Sequence, residues 1–440
     1  MVESRRVALF FVVAVTACGG SDPAAGPAGP APVGSASSPS TSTAPNPAAT
    51  PTAPPSPVAP PPAVTPAPLP PSGTGTVATC PDALGRVLTV GSGKQFATVR
   101  AAAAAAQSGD TIHISAGDYR ADVATWYANN LTICGVGGRA RLLADGAQEG
   151  GKGIWVIRGS DTTVVNVEFH GAKVPDQNGA GIRQEGRNLT LRSTGFFDNE
   201  NGILTNDDSG STITIESSEF ARNGFGDGYT HNIYVGKIGR LNVRLSYFHE
   251  AKIGHQLKTR ARENVIEYSY FMDGPNGTSS YLLNFDNGGR AVVRGNLLQK
   301  GPRADNSTLI THYSNVWGSD YNSLTLEHNT LVSTYPGGRF IDVNTGAAVS
   351  LAGNVFAGTN APTLVSGGVV TNQQNLTAAA SDFPGATNVA EPNFWPNAAV
   401  EARLPLASPV VASYPMDTPR PFMARPASAT RRIGALQSAP

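Results

Sequence analysis

The chain has 440 residues, of which 15% are charged, and its 32 basic side chains are matched by 32 acidic ones. That balance excludes the broad basic footprint used to hold nucleic acid, so any charged ligand has to be met by a local cluster. Three cysteines with no neighbouring Cys/His cluster give no metal-site signal.

The chain opens "MVESRRVALFFVVAVTACGG", with Arg5 and Arg6 ahead of an apolar run over 7–15 that is too short to span a bilayer. This is the pattern of a signal peptide over 1–17. Its ending, "VTAC", resembles the bacterial lipobox, which implies cleavage before Cys18 and lipid attachment to that sulfur. Gly19 in place of an aspartate resembles outer-membrane sorting. The expectation is an exported outer-membrane lipoprotein, periplasmic or surface-facing, that touches the membrane through its lipid alone. Residues 18–76 are almost entirely Pro, Ala, Ser, Thr and Gly and bury too little apolar area to fold, so they read as a tether. A folded domain over 77–440 remains. It holds Cys80 and Cys134, a plausible disulfide pair in an exported protein.

After the tether, "FATVRAAAAAAQSGDTIHISAGDY" predicts an alanine-rich helix over 96–107, a Gly109-Asp110 turn and an alternating strand over 111–115. The stretch resembles the N-terminal cap of right-handed parallel β-helices of the pectin-lyase-like superfamily, where a short helix blocks the open end of the stacked strands. A repeat follows: an aliphatic residue, two variable ones, then Ser, Thr or Asn, one residue, and Phe or Leu. It reads "LRSTGF" (191–196), "IESSEF" (215–220), "VRLSYF" (243–248), "IEYSYF" (266–271), "VRGNLL" (293–298), "LEHNTL" (326–331) and "LAGNVF" (351–356). The start-to-start spacings of 24, 28, 23, 27, 33 and 25 residues are those of coils with loops of unequal length. Ser218, Ser246, Ser269, Asn296, Asn329 and Asn354 share one place in the repeat, and a row that recurs in coil after coil is structural. "ARLPLASPVV" through "RRIGALQ" resembles the closing segment of the same superfamily. The expected fold is therefore all-β, a right-handed parallel β-helix with a short N-terminal capping helix.

A second strand follows each aromatic position: "HNIYVG" (231–236), "HQLKTR" (255–260), "YLLNFD" (281–286), "LITHYS" (309–314) and "FIDVNT" (340–345). Period-two alternation assigns faces. Ile233 and Val235 inward leave Asn232 and Tyr234 outward. Leu257 and Thr259 inward expose Gln256, Lys258 and Arg260. Leu283 and Phe285 inward expose Asn284 and Asp286. Placing Leu309, Thr311 and Tyr313 inward exposes His312, and Ile341 and Val343 inward expose Asp342 and Asn344. The outward row Tyr234, Lys258, Asn284, His312, Asp342 would run roughly 19 Å, the length of several sugar units. His231 and His255 stand at the rim where the preceding turn enters the strand.

"LKTRARENVIEYSYFMDG" (257–274) resembles a segment of alginate- and chondroitin-cleaving polysaccharide lyases. The resemblance implies that Lys258 is the Brønsted base. The chain departs from the family upstream, where Ala251, Lys252 and Ile253 stand in place of calcium-holding carboxylates, and near Asn284, where the family has an arginine. No cofactor is therefore expected; calcium fits the family but lacks its ligands here. β-Elimination on a uronic acid still needs a base, a group that neutralises the sugar carboxylate and an acid for the leaving oxygen. Lys258 suits the first role, with His231 and His255 as alternates. Arg260, Asn284 or a histidine suits the second, and Tyr234 or Tyr281 the third. Asn232, Gln256, Tyr281, Asn284, Asp286, His312 and Asp342 are expected to contact substrate. The expected partner is an acidic polysaccharide, met by a monomer. Three other readings stay open: a hydrolase using Asp207 and Asp208 of "TNDDSG" (205–210), otherwise plain turn residues; a C5-epimerase; and a non-catalytic glycan-binding or adhesin-like β-helix.

Overall fold

The computed structural model describes residues 77–404 except 345, together with 433–435. The expected signal peptide, Cys18, Gly19 and the expected tether lie outside the described residues. Every pairing between strands is parallel, and the strands of successive coils stack into two sheets. The smaller sheet stacks ten strands in strict chain order, from Ala124–Trp126 to Thr363–Ser366. The larger takes two short strands from most coils, for example Glu263–Glu267 and Tyr270–Met272. Parallel strands joined by such crossovers take the right-handed course, and the chain folds as a right-handed parallel β-helix.

The repeat read from sequence is the kink between those two strands. The residue just before each shared polar position has a positive φ: Ser217 at 48°, Leu245 at 53°, Tyr268 at 49°, Gly295 at 64°, His328 at 52° and Gly353 at 64°. A left-handed residue turns the chain sharply and leaves the next backbone N–H without a strand partner. The ladder satisfies it. The N–H of Ser246 donates to Ser269 Oγ, that of Ser269 to Asn296 Oδ1, that of Asn296 to Asn329 Oδ1 and that of Asn329 to Asn354 Oδ1. Ser218, Ser246, Ser269, Asn296, Asn329 and Asn354 are all fully buried. The aromatic position two residues on fills the core. Phe169, Phe196, Phe220, Phe248 and Phe271 stack ring on ring, with centroids 5.0, 4.6, 4.6 and 4.8 Å apart.

The N-terminal end is closed as expected, with shifted bounds, whereas most of the expected closing segment over 402–437 lies outside the described residues. The capping helix is Val99–Ala105, shorter than the predicted span because Thr98 caps it and Asp122 binds the N–H groups of Val99 and Arg100. The following strand is longer than predicted, Thr111–Arg120. Cys80 and Cys134 form a disulfide, with Cα atoms 6.1 Å apart. It fastens the chain before the first coil to a region where Ala78 also exchanges two hydrogen bonds with Asn166. At the other end, Phe383, Phe394 and Val400 cover the outer face of Tyr247, Tyr270 and Leu297. Ile433 and Ala435 join that cluster.

Asn329 accepts two hydrogen bonds from Asn296 and donates two, to Val293 O and Asn354 Oδ1. Asn329→Leu strands these buried groups and is expected to cost about 3 kcal/mol. Urea denaturation of the variant and the parent measures it.

Candidate active site

The smaller sheet presents three outward rows. The first is Asn201, His231, His255 and Tyr281, at the strand entry. The second is Arg183, Leu204, Tyr234, Lys258, Asn284, Thr311 and Asp342, in direct inter-strand register. The third, just past the strands, holds Arg260, Asp286 and Tyr313.

Around Lys258 these rows form a compact charge arrangement. Arg260 Nε donates to Asp286 Oδ2 at 2.8 Å, and Lys258 Nζ lies 3.8 Å from the same oxygen. Both cations sit against the face of Tyr234, Lys258 Nζ at 5.7 Å and the Arg260 guanidinium at 5.3 Å from the ring centroid. Burial pushes the Lys258 ammonium below the ordinary lysine range; Asp286 opposes that shift and Arg260 adds to it. Burial also raises Tyr234, which stays protonated.

His231 and His255 lie side by side, rings stacked with centroids 4.6 Å apart. His231 Nδ1 accepts the backbone N–H of His255 at 3.0 Å, so its remaining proton belongs on Nε2. Desolvation holds His231 well below the usual histidine range, and His255 is pushed down to about 3, by burial first and Lys258 second. Both are neutral rings packed between Tyr234 and Tyr281.

Three expected contact residues are not on the surface. His312 is fully buried: Asn284 pairs with Thr311 and Phe285 with His312, so Thr311 takes the outward place and His312 Nε2 binds Gly289 O. The adjacent apolar residues Leu309 and Ile310 allowed either register, and stacking of Ile310 between Leu283 and Ile341 selects this one. Asn232 and Gln256 are also fully buried. At the strand entry two consecutive rows point inward, Asn232–Gln256–Leu282 beside Ile233–Leu257–Leu283, and alternation begins only at the next residue. Asn232 and Gln256 belong to a second polar ladder, Asn199–Asn223–Asn232–Gln256–Asp273, which ends on buried Lys300.

Of the other expected contacts, Asn284 keeps its register in the outward row but is buried and donates to Thr311, Tyr281 is half-buried beside Asn306, and Asp342 is held by Arg339 and Tyr313. The concave part of the face lies toward the N-terminal coils from these three. It is a groove of about 680 Å³ lined by Arg183, His231, Tyr234, Lys258 and Arg260 and by acids that include Asp207 and Asp227. Its wall is the loop 224–230, in which Gly224, Gly226 and Gly228 have positive φ and Tyr229 is 85% exposed. Sequence reasoning missed Arg183, although Ile182 is inward and alternation carried two strands further back would have exposed it. It also missed the wall, because loop shape leaves no periodic trace.

The donor set does not suit calcium. Ala251 is buried, Lys252 pairs with Asp198 at 3.8 Å, and among the described residues no three acid, histidine or cysteine side chains gather as ligands. The paired-aspartate arrangement is split. Asp207 lines the groove, whereas Asp208 is tied to Arg187 at 2.8 Å on the adjoining sheet.

The buried histidines predict a pH effect on folding. The unfolded chain takes up their protons near pH 6.5, while folded His255 does so only near 3. Stability should therefore fall as pH drops below about 6.5, by up to about 1.4 kcal/mol per pH unit for each histidine. His231→Gln/His255→Gln should flatten the slope between pH 6.5 and 4, as read by urea midpoints.

No protein-family model matches the chain, and no curated protein matches it. Among solved structures it is similar to pectate lyase Pel9A, with a TM-score of 0.53 and 14% sequence identity, covering 80% of this chain and 96% of that one. A likeness at that identity speaks for the fold: this chain and that enzyme share the parallel β-helix.

Proposed function

We propose that the protein cleaves an acidic, uronate-containing polysaccharide by β-elimination, with Lys258 as the base. The observation that carries this reading is the environment of Lys258: a partly desolvated lysine in the outward row of a groove, set with the Arg260 guanidinium on the ring of Tyr234. Neutral Lys258 takes the C5 proton of the sugar, and the electron pair closes the C4–C5 double bond. The C4–O bond breaks, and Tyr234, still protonated, gives its proton to the leaving oxygen. Arg260 spends only its Nε on Asp286, which leaves its terminal nitrogens for the sugar carboxylate as charge builds there. Arg183 stands three strands away in the same row, roughly 14 Å along the groove, and has no ion pair among the described residues. It would hold a second uronate.

Ultraviolet absorbance of the unsaturated product, on a panel of polyuronates, tests the reaction. Lys258→Ala should lower turnover at least about a hundredfold with little effect on folding. Arg260→Ala should weaken both KM and kcat. Asp286→Asn has a signed outcome: Asp286 raises the Lys258 pKa, so its removal should shift the acid limb of kcat/KM to lower pH. Full activity in Lys258→Ala would remove the lysine from the mechanism. Inverted uronate stereochemistry without chain scission would make the protein an epimerase, and saturated products would make it a hydrolase.

The reading includes export and anchoring through Cys18. Wild-type protein should partition with membranes and Cys18→Ser should not; equal solubility of the two would end the lipoprotein assignment.

A further inference from the structure

Beside the groove, where the strands of the smaller sheet leave for the larger one, three successive coils each present a cation: Lys237 after Ile233–Val235, Arg262 after His255–Thr259, and Arg290 after Tyr281–Phe285. The fourth coil leaves by a much longer connection, 313–322, which doubles back over the other three. Trp317 Nε1 donates to Arg260 O at 3.1 Å, and the N–H of Val316 donates to Asn287 O at 3.3 Å.

Its two rings hold the three cations in a line. Lys237 Nζ lies 5.1 Å and the Arg262 guanidinium 6.0 Å from the Trp317 centroid; Arg262 and Arg290 lie 5.3 and 5.2 Å from that of Tyr321. Among the described residues none of the three forms an ion pair. Of the nearby carboxylates, Glu263 is held by Arg240 and Asp286 by Arg260, Asp207 accepts the backbone N–H of Lys237, and none comes within ion-pair distance of the three cations. Asp320 offers Arg290 its backbone carbonyl, and Arg262 Nε is buried without a partner. An aromatic face orders a cation without neutralising it. Three ordered, unneutralised charges in a chain of zero net charge form a local anionic-ligand surface.

From this we infer that Lys237, Arg262 and Arg290, set on Trp317 and Tyr321, form a binding strip for the carboxylates or sulfates of an acidic polysaccharide, separate from the reaction groove. The ligand class rests on the acidic-polysaccharide reading of the groove; the strip itself takes no part in proton transfer. The coils repeat at about 4.8 Å, close to the advance of one sugar in an extended chain, so neighbouring cations can meet neighbouring acidic sugars. A strand held there would be retained beside the groove between cleavage events.

The test is equilibrium binding of polygalacturonate, alginate and chondroitin sulfate to Lys258→Ala protein, which keeps the polymers intact, with fully methyl-esterified polygalacturonate as the uncharged control. Adding Lys237→Gln/Arg290→Gln should weaken binding of at least one polyanion roughly tenfold at low salt, the scale of two screened ion pairs. Lys237→Arg should retain the affinity, and the uncharged polymer should be indifferent to all the changes. Unchanged affinity of the double variant for every polyanion, or an equal loss for the methyl ester, overturns the strip even if wild-type turnover is intact. Tighter strip-dependent binding of duplex DNA than of any polysaccharide also overturns it. Loss of strip binding in a protein whose wild type releases no unsaturated product would uphold the strip and remove the elimination reading instead.

Discussion

The structure depends on the N–H groups that its kinks leave without strand partners. A chain that turns through a left-handed residue once per coil, in the same place, must find an acceptor for the next amide at every turn, in a region buried from solvent. A serine or asparagine one coil further on supplies it, and its own amide makes the same demand of the coil after that. The ladder thus fixes the register of neighbouring coils. Once register is fixed, like stacks on like: phenylalanine on phenylalanine inside, and one chosen row of side chains outside.

That coupling explains what was legible in the sequence. The ladder and the aromatic stack recur with every coil and impose a pattern, so the repeat, its structural polar row and the outward register of Tyr234 and Lys258 followed from periodicity, and the resemblance of the cap pointed to the fold class. The failures occur where periodicity stops carrying information. Leu309 and Ile310 give two registers of equal hydrophobic merit, and only the neighbouring strands choose between them, so His312 was assigned to the wrong face. Asn232 and Gln256 sit where two consecutive rows face inward, a bend that alternation cannot encode. The groove wall is a glycine-rich loop whose Asp227 and Tyr229 reach the site from outside the repeat.

The charges of the groove are arranged by competition rather than by simple attraction. Asp286 serves two cations, and the closer one, Arg260, takes the hydrogen bond. Lys258 keeps a carboxylate near enough to tolerate its charge but too distant to fix it, while burial favours its neutral form. The stacked histidines, buried and neutral, add uncharged bulk beside Tyr234, the ring on which the lysine rests. Burial thus lowers the proton affinity of a basic residue whose charged and aromatic neighbours come from three successive coils.

Solenoids normally behave as one-dimensional chains in which each coil feels only its neighbours and the ends fray independently of the middle. Here the C-terminal segment does not stop at the last coil. Tyr247 donates its hydroxyl to Val389 O at 2.8 Å, across 142 residues, and Phe394 packs on Tyr270. Unwinding of the last coils therefore has to release contacts on the coils that carry the groove, and the fraying end is tied to the middle like a strap buckled back on itself. Local opening in this molecule should involve a larger cooperative block than a simple stack of coils would allow, with the candidate site inside that block.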